Sequence, residues 1–230
     1  MKPREAETPP GPKVGSTDHR VPGFTILLVV LLLELVAMPV FGGSEAGMYV
    51  ATTLAVVVLL AALIAVRIHR IAVILFFPAV IAVALNRWMD AGAIITAFRL
   101  LFLGYVTFLI IAHVLHDRTA ATDTIAGAAC AYLLLATVWA HAYMLVEWWR
   151  PGSFAIPSTF MVGPRHDPRP ALLYFSVGLL TSVGSVIQPT HAAAAGFCAA
   201  ETVVGQLYLA IMIARLVGLQ VARRTSPGHS

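Results

Sequence analysis

Charged residues are scarce in this chain: Asp, Glu, Lys and Arg make up only 11% of its 230 residues. Apolar residues make up 59%, and the mean hydropathy is +0.86. A water-soluble domain of this length does not need so much apolar surface, so the composition indicates an integral membrane protein in a lipid bilayer. The net charge of +4 is not clustered on a basic face, which argues against nucleic-acid binding.

Cysteine is equally scarce. Cys130 and Cys198 both lie inside apolar runs, so we interpret them as small core residues and not as a disulfide or a metal site. The chain also lacks a nucleophile elbow, a phosphate loop, an HExxH motif and paired carboxylates in a supporting context. We therefore predict that the protein is not an enzyme and has no cofactor, no catalytic residues and no resident metal.

Six long apolar runs follow residues 1–21, a polar, proline-rich segment that we predict to be disordered and cytoplasmic. Each run is long enough to cross a bilayer as a helix. No clear cleavage site follows the first one, so we expect it to be retained. The runs are 24–41, 47–66, 71–88, 93–115, 124–146 and 192–219.

The distribution of Lys and Arg predicts the orientation of these helices. With the N-terminus in the cytoplasm, ten of these residues lie on the inner side and four on the outer side, while Arg99 falls within the fourth run. We therefore expect a multi-pass protein of the cell (inner) membrane with both termini cytoplasmic and residues 220–230 as a short tail. A voltage sensor needs arginine at every third position of one helix, so Arg99 alone argues against voltage sensing.

The stretch ALLYFSVGLLTSVGSVIQP, residues 171–189, breaks this pattern. It is too short and too rich in Gly, Ser and Thr to cross the bilayer. Irregular backbone at membrane depth needs protein or water around it, so we predict a re-entrant segment. A helix of about three turns would descend from the outer face, with Pro168 and Pro170 at its start, and an extended return would end at Pro189. The negative C-terminal end of such a helix favours a cation.

The residues around this stretch resemble the pore region of bacterial six-span members of the potassium-channel superfamily. YFS…LLTSVG…P, followed by AAETVVGQLYLAIMIARLVGL, is similar to that family's YFSF-x-TLTT-x-GYGDI-x-P and L-E-A-x-x-GQLYLAVL-x-ARLVG. The fifth run, DTIAGAACAYLLLATVWAHAYMLVE, resembles the DTIYGAxCxYLLLGLxWALLY outer helix of the same group, and PGSF at 151–154 also recurs there. The similarity covers residues 123–219, whereas residues 1–122 agree only in layout, as four preceding spans.

This resemblance implies an all-α channel fold with a four-helix region at 22–122 and a pore domain at 123–219. Four chains would surround one axis as a homotetramer, and monovalent cations (K+ and Na+) would pass between them. The ion pathway would be lined by six consecutive residues: Thr181, Ser182, Val183, Gly184, Ser185 and Val186.

The filter departs from the family pattern, because TxGYGDIxP is replaced by SVGSVIQP. Ser185 stands where the family has tyrosine, and Val186 falls near the second glycine. The family filter relies on glycines for backbone angles that a β-branched residue does not adopt. We therefore expect a degenerate selectivity filter in which hydroxyl groups line a wider constriction that discriminates poorly between Na+ and K+.

Two residues of the sixth run have alternative roles. Gly205 lies sixteen residues beyond Pro189, where the family has its gating-hinge glycine, but a small residue for close helix packing is an equal alternative. Glu201 matches a glutamate of the family's inner helix. It is either a carboxylate that attracts cations near the filter or a hydrogen-bonded, neutral carboxyl that holds the pore helix from behind, and we favour the second role slightly.

The remaining polar residues of the apolar runs carry weaker signals. Glu34 and Arg99 can form a pair, and His113 lies at a membrane interface. His141 has no second set of ligands around it that would hold a cofactor.

Two other functions compete with a cation channel. The same fold can serve as a non-conducting scaffold or regulatory subunit if the valines close the axis. A membrane enzyme or solute carrier that uses Glu201 and His141 ranks far below both.

Overall fold

The computed structural model describes residues 23–41, 45–65, 70–85, 92–116, 122–161 and 167–225. The segment 1–21, for which disorder was predicted, lies outside these residues. The described chain is mostly helical, and its regular elements occur in the order α1 (Gly23–Phe41), α2 (Glu45–Ala65), α3 (Arg70–Leu85), α4 (Gly92–His116), α5 (Thr122–Trp149), β1 (Phe154–Ala155), α6 (Arg169–Leu180), β2 (Gln188–Pro189) and α7 (Ala192–Thr225).

Each of the six apolar runs of the sequence forms a helix. Three of these helices contain segments long and apolar enough to cross a membrane: Gly92–His116, Thr124–Trp149 and Ala192–Leu219. Shorter apolar segments lie in α1, α2, α3 and α6. The predictions of a mainly helical protein and of a multi-pass membrane protein are therefore confirmed at this level, while the number of six spans stays a prediction.

Helices α1 to α4 pack in sequence, and α5 joins them through its contacts with α1 and α4. The core that they share contains large buried side chains such as Leu27, Leu59 and Phe102. Small residues lie between the helices as well, and Ala62, Ala72, Ala79 and Ala131 are each fully buried. Lipid tails are as apolar as leucine, so close van der Waals packing through small residues is the main attraction available to such helices.

Both ends of the half-length segment lie near the end of α5 where that helix finishes. Helix α6 runs antiparallel to α5, because Ser176 contacts Ala136 and Leu180 contacts Tyr132, so α6 starts at this end. The two short strands hold the other end of the segment there. Strand β1 follows α5 closely and pairs antiparallel with β2, with Phe154 opposite Pro189 and Ala155 opposite Gln188. Helix α6 packs on α5, and the chain then returns through residues 181–187 to β2. We call this end of the molecule, marked by β1 and β2, the hairpin end.

Helix α7 is longer and less covered than the other apolar helices. It packs mainly on α5 and α6, and only 11% of its apolar window is buried, compared with 44% for Gly92–His116. It also continues to Thr225, beyond the predicted end at residue 219. The extra residues, QVARRT, contain no glycine or proline to stop a helix before Pro227.

Candidate functional site: the loop between α6 and α7

The C-terminal carbonyls of α6 are bonded by the loop that follows the helix. The backbone N–H of Thr181 donates to Val177 O at 3.0 Å, and that of Ser182 donates to Leu179 O at 3.0 Å. The N–H groups of Val183 and Gly184 both donate to Gly178 O, at 3.0 and 3.2 Å. A helix leaves its last carbonyls without partners inside the helix, and here the loop itself supplies those partners.

Two residues turn the backbone of this loop through the left-handed region. Ser182 has φ +58° and is the single non-glycine residue with positive φ in the described ranges, and Gly184 has φ +88°. A residue in this conformation just past a helix end is a common way to close the helix. Val186 does not have a positive φ, in line with the argument that a β-branched residue does not take the place of the family's second glycine.

Gly178 makes this tight fold of the loop possible. A Cβ atom at position 178 would lie 2.5 Å from the carbonyl oxygen of Gly184. The Gly184 carbonyl therefore faces α6 and does not project away from the protein. A ring of carbonyls that coordinates an ion on a symmetry axis needs this group to turn outward.

The six predicted pathway residues lie together on this loop, and most of them are exposed. Thr181, Ser182, Val183, Gly184 and Val186 are exposed, and Ser185 is half-buried. Val183 has 85% of its surface accessible, the highest value among these apolar side chains. Ile187, which comes next, is buried and anchors the return of the chain to β2.

Glu201 is fully buried and connects three helices. The Tyr143 hydroxyl on α5 donates to Glu201 Oε2, and Ser176 Oγ on α6 lies within hydrogen-bond distance of Glu201 Oε1. Both partners are fully buried as well. Glu201 does not face the exposed side of α7, and its contacts are those of a hydrogen-bonded carboxyl that braces α6. Both predicted roles of Glu201 stay predictions.

The Ser176 hydroxyl has two oxygen neighbours that accept hydrogen bonds. Ser176 Oγ lies 2.8 Å from Ala136 O and is also close to Glu201 Oε1. A hydroxyl group carries one hydrogen. Both contacts are satisfied together when Ser176 donates to Ala136 and a protonated Glu201 donates to Ser176.

Further hydrogen bonds hold the end of α6 and the loop against α5 and α7. The Tyr132 hydroxyl donates to Leu180 O at 2.8 Å, and Gln206 Nε2 on α7 donates to Ser182 Oγ at 2.8 Å. Further along α7, the Tyr208 hydroxyl donates to Ala128 O at 2.7 Å. Tyr132 and Tyr208 also stack, with ring centroids 5.8 Å apart. The loop is thus anchored from both neighbouring helices.

Gly205 lies directly against the end of α6. A Cβ atom at this position would lie 2.9 Å from both Leu180 O and Leu180 Cδ1. Helix α7 is continuous through Gly205. The contact gives this glycine a role in close helix packing, and the role of a gating hinge stays a prediction.

The hairpin end has its own hydrogen-bond network. Glu147 accepts hydrogen bonds from the backbone N–H groups of Gly152 and Phe154, at 2.6 and 3.2 Å. His191 caps α7, because its Nδ1 accepts from Ala194 N at 3.2 Å, and its Nε2 lies 2.9 Å from Ser153 Oγ. These contacts join the segment after α5 to the start of α7.

The other polar residues noted in the sequence lie elsewhere. His113 is exposed near the end of α4, and its ring lies tilted against that of Phe24, with the ring centroids 5.6 Å apart. Glu34, Arg99 and His141 line one recess, although no salt bridge joins Glu34 to Arg99, both of which are described. Within the described ranges, no three His, Cys, Asp or Glu side chains are grouped closely enough to hold a metal ion.

Sequence reasoning did not single out Tyr132, Tyr143 or Ser176, which hold the loop and Glu201. The available signal was the tyrosine hydroxyl, since a buried tyrosine in an apolar helix needs a hydrogen-bond partner. Comparison of the chain with family models, curated proteins and solved structures finds no match.

Proposed function

We propose that the protein is a pore-forming cation channel of the potassium-channel type with a degenerate filter. The observation that carries this proposal is the half-length helix α6 and its return loop, which begin and end at the hairpin end and are braced by α5 and α7. Irregular polar backbone inside a membrane is tolerated only where it lines a water-filled pathway or is enclosed by protein.

In this proposal all six apolar helices cross the membrane and α6 is the re-entrant pore helix. Trp148 and Trp149 at the end of α5 are exposed, as expected for an aromatic belt at the outer interface. The hairpin end then faces outward and both termini are cytoplasmic. The loop Thr181–Val186 reaches into the bilayer from the outer side.

Self-association supplies the enclosure that one chain lacks. A single loop cannot surround a pathway, and the uncovered side of α7 is adjacent to the exposed loop. Its exposed apolar side chains include Val203, Val204, Leu207 and Ile211. A closed symmetric ring would cover this surface and place the loops around one axis, and the family resemblance favours four copies.

The polar groups of the loop support weak ion selectivity. The Gly184 carbonyl faces Gly178, so the groups offered to the axis are chiefly the hydroxyls of Thr181, Ser182 and Ser185. Ions that pass between such hydroxyls would keep part of their hydration shell, and this gives little discrimination between Na+ and K+.

Ion flux in liposomes that contain the purified protein tests this proposal. We expect saturable passage of Na+ and K+ with similar permeability and exclusion of Cl−. A preference for K+ of about tenfold or more would overturn the filter argument, because partly hydrated passage does not produce it. Native mass spectrometry of the same preparation would show tetramers.

A non-conducting scaffold is the second candidate function, and the loop itself supplies the supporting observation. Val183 and Val186 are the exposed apolar side chains of the loop, at 85% and 59% accessible surface. Rings of such residues close a pore by dewetting. The scaffold predicts tetramers that pass no ions, and replacing both valines together (Val183→Ser with Val186→Ser) would then open the axis.

A further inference from the structure

A recess lies between α1, α4, α5 and α6, apart from the loop. Glu34 reaches it from α1, Arg99 from α4, His141 from α5 and Arg169 from α6. It has room for about three water molecules and is only partly enclosed. Four helices therefore contribute polar side chains to one small space.

The side chain of Arg99 has an unsatisfied donor beside this recess. Its side chain is 8% exposed, and its Nε is the single buried side-chain nitrogen or oxygen without a partner in the part of the chain that the structure describes. Burying a charged donor without an acceptor is strongly unfavourable. Arg99 also lines the recess, so an acceptor held there would lie beside its guanidinium group.

Glu34 faces the same space and is also buried, at 5% exposure. No salt bridge joins it to Arg99, although both side chains belong to the described part of the chain. A guanidinium group and a carboxyl group thus line one recess without direct contact. A ligand that joins them needs an oxygen acceptor for Arg99 and a hydrogen donor for Glu34.

The threonine and histidine side chains of the wall act as acceptors. The hydroxyls of Thr96 and Thr137 donate their hydrogens to the carbonyls of Gly92 and Leu133, at 2.7 and 3.1 Å, which leaves only lone pairs for a ligand. The Nδ1 of His141 lies 2.7 Å from Thr137 O, so it carries the hydrogen and the neutral ring presents Nε2 as an acceptor. These acceptors favour a ligand that carries N–H groups as well as anionic oxygens.

The acidic and basic side chains of the recess lie at different depths, measured along α6. Arg169 is the first residue of α6. Its Nε donates to both carboxylate oxygens of Asp167, at 2.9 Å for Oδ1 and 2.8 Å for Oδ2. An adjoining smaller cavity is lined by Glu34 and by Val177, which lies about two turns further along α6. Glu34 is therefore at the inner end of the recess and Arg169 is nearer the hairpin end, while Arg99 lines the recess and not the adjoining cavity.

We propose that the recess binds a zwitterionic phosphate–ammonium group, with the phosphate at Arg99 and Arg169 and the ammonium at Glu34 and His141. The headgroup of phosphatidylethanolamine has its charges in this order, since its ammonium is terminal and its phosphate is next to the glycerol. Free phosphoethanolamine carries the same groups. Charge-assisted hydrogen bonds at both ends supply the recognition, and the site is independent of ion conduction.

Thermal unfolding of the purified full-length protein in detergent micelles, followed by tryptophan fluorescence, tests the site. Phosphatidylethanolamine, phosphatidylcholine and phosphatidylglycerol with identical acyl chains are added in turn. We expect phosphatidylethanolamine to raise Tm. The concentration dependence of the shift should give an affinity about tenfold higher than for the other two lipids, because they lack ammonium N–H donors. Equal shifts with the three lipids, or none, would overturn the proposal and leave ordered water as the occupant.

Free phosphoethanolamine distinguishes the two sources of this chemistry. A shift of Tm at millimolar concentration supports the phosphate–ammonium group itself as the ligand. A shift with the lipid alone assigns the site to a lipid headgroup. These comparisons use the unaltered protein, so they do not depend on the folding of any variant.

Two variants and one control connect the effect to the recess. Arg99→Gln and Glu34→Gln are each expected to reduce the preference for phosphatidylethanolamine by about tenfold. Arg70→Gln changes an exposed arginine of α3 outside the recess and is expected to leave the preference intact. A preference that survives in folded Arg99→Gln protein would overturn the assignment.

Discussion

The hydroxyl of Tyr143 on α5 donates a hydrogen bond to the carboxyl of Glu201 on α7, and both side chains are fully buried. Ser176 on α6 is the third member of this cluster. The cluster lies behind the loop, on the side away from its exposed residues. One buried carboxyl group therefore links α6 to both of its neighbours.

Replacement of Glu201 tests whether this carboxyl acts as a neutral hydrogen-bonding group. Glu201→Gln retains an acceptor for Tyr143 and a donor for Ser176, so we expect Tm to stay within a few degrees of the parent protein. Glu201→Ala leaves both buried hydroxyls without this partner and should destabilise the fold by roughly 2–4 kcal/mol. If Gln destabilises the protein as strongly as Ala, a charged carboxylate is required at this position.

The cluster also shows where sequence reasoning stops. Long apolar runs identify helices locally, and for this reason the bounds of α1 to α7 lie close to those expected. The partners of Glu201 are 25 and 58 residues away in the chain. No local pattern pairs residues at such separations, since the pairing depends on how α5, α6 and α7 pack in three dimensions.

Gly205 provides a test of close packing within α7. Gly205→Ala would place a methyl group 2.9 Å from the Leu180 carbonyl oxygen, so we expect a loss of roughly 1–3 kcal/mol and displacement of the end of α6. Gly196→Ala and Gly218→Ala are matched controls on the same helix, since no atom lies within 4 Å of either added group. Both controls should be neutral or stabilise the protein by up to about 1 kcal/mol. Chemical or thermal unfolding measures the difference, and equal effects at the three sites would exclude a packing role.

Gly178 should control the conformation of the loop. A Cβ atom at position 178 would lie 2.5 Å from Gly184 O, so Gly178→Ala is expected to push that carbonyl away from α6. We expect faster hydrogen exchange at the amides of Val183 and Gly184, which donate to Gly178 O. Exchange of the amides in α4 serves as the internal control. Unchanged protection of the loop amides in the variant would contradict the described loop structure.

Some features of the loop are predicted by the sequence, and others arise only in the folded chain. Threonine, serine and glycine between two apolar helices indicated a re-entrant segment, and the structure brings both ends of that segment to one end of α5. The inward turn of the Gly184 carbonyl had no sequence signal. It results from the absence of a side chain at Gly178 and the positive φ of Ser182, two features that combine only once the loop has folded.

Cross-linking at the uncovered side of α7 tests the proposed assembly. Leu207 on α7 and Ile74 on α3 are both exposed apolar residues, at 56% and 68% accessible surface, so single cysteines there should be equally reactive in an isolated chain. In a ring formed around α7, Leu207→Cys should form disulfide-linked dimers under mild oxidation, whereas Ile74→Cys should not. The native Cys130 and Cys198 are buried and give little background. Equal cross-linking at both positions would indicate random collision, and cross-linking at Ile74 alone would place the contact between chains on α3 and exclude an assembly around α7.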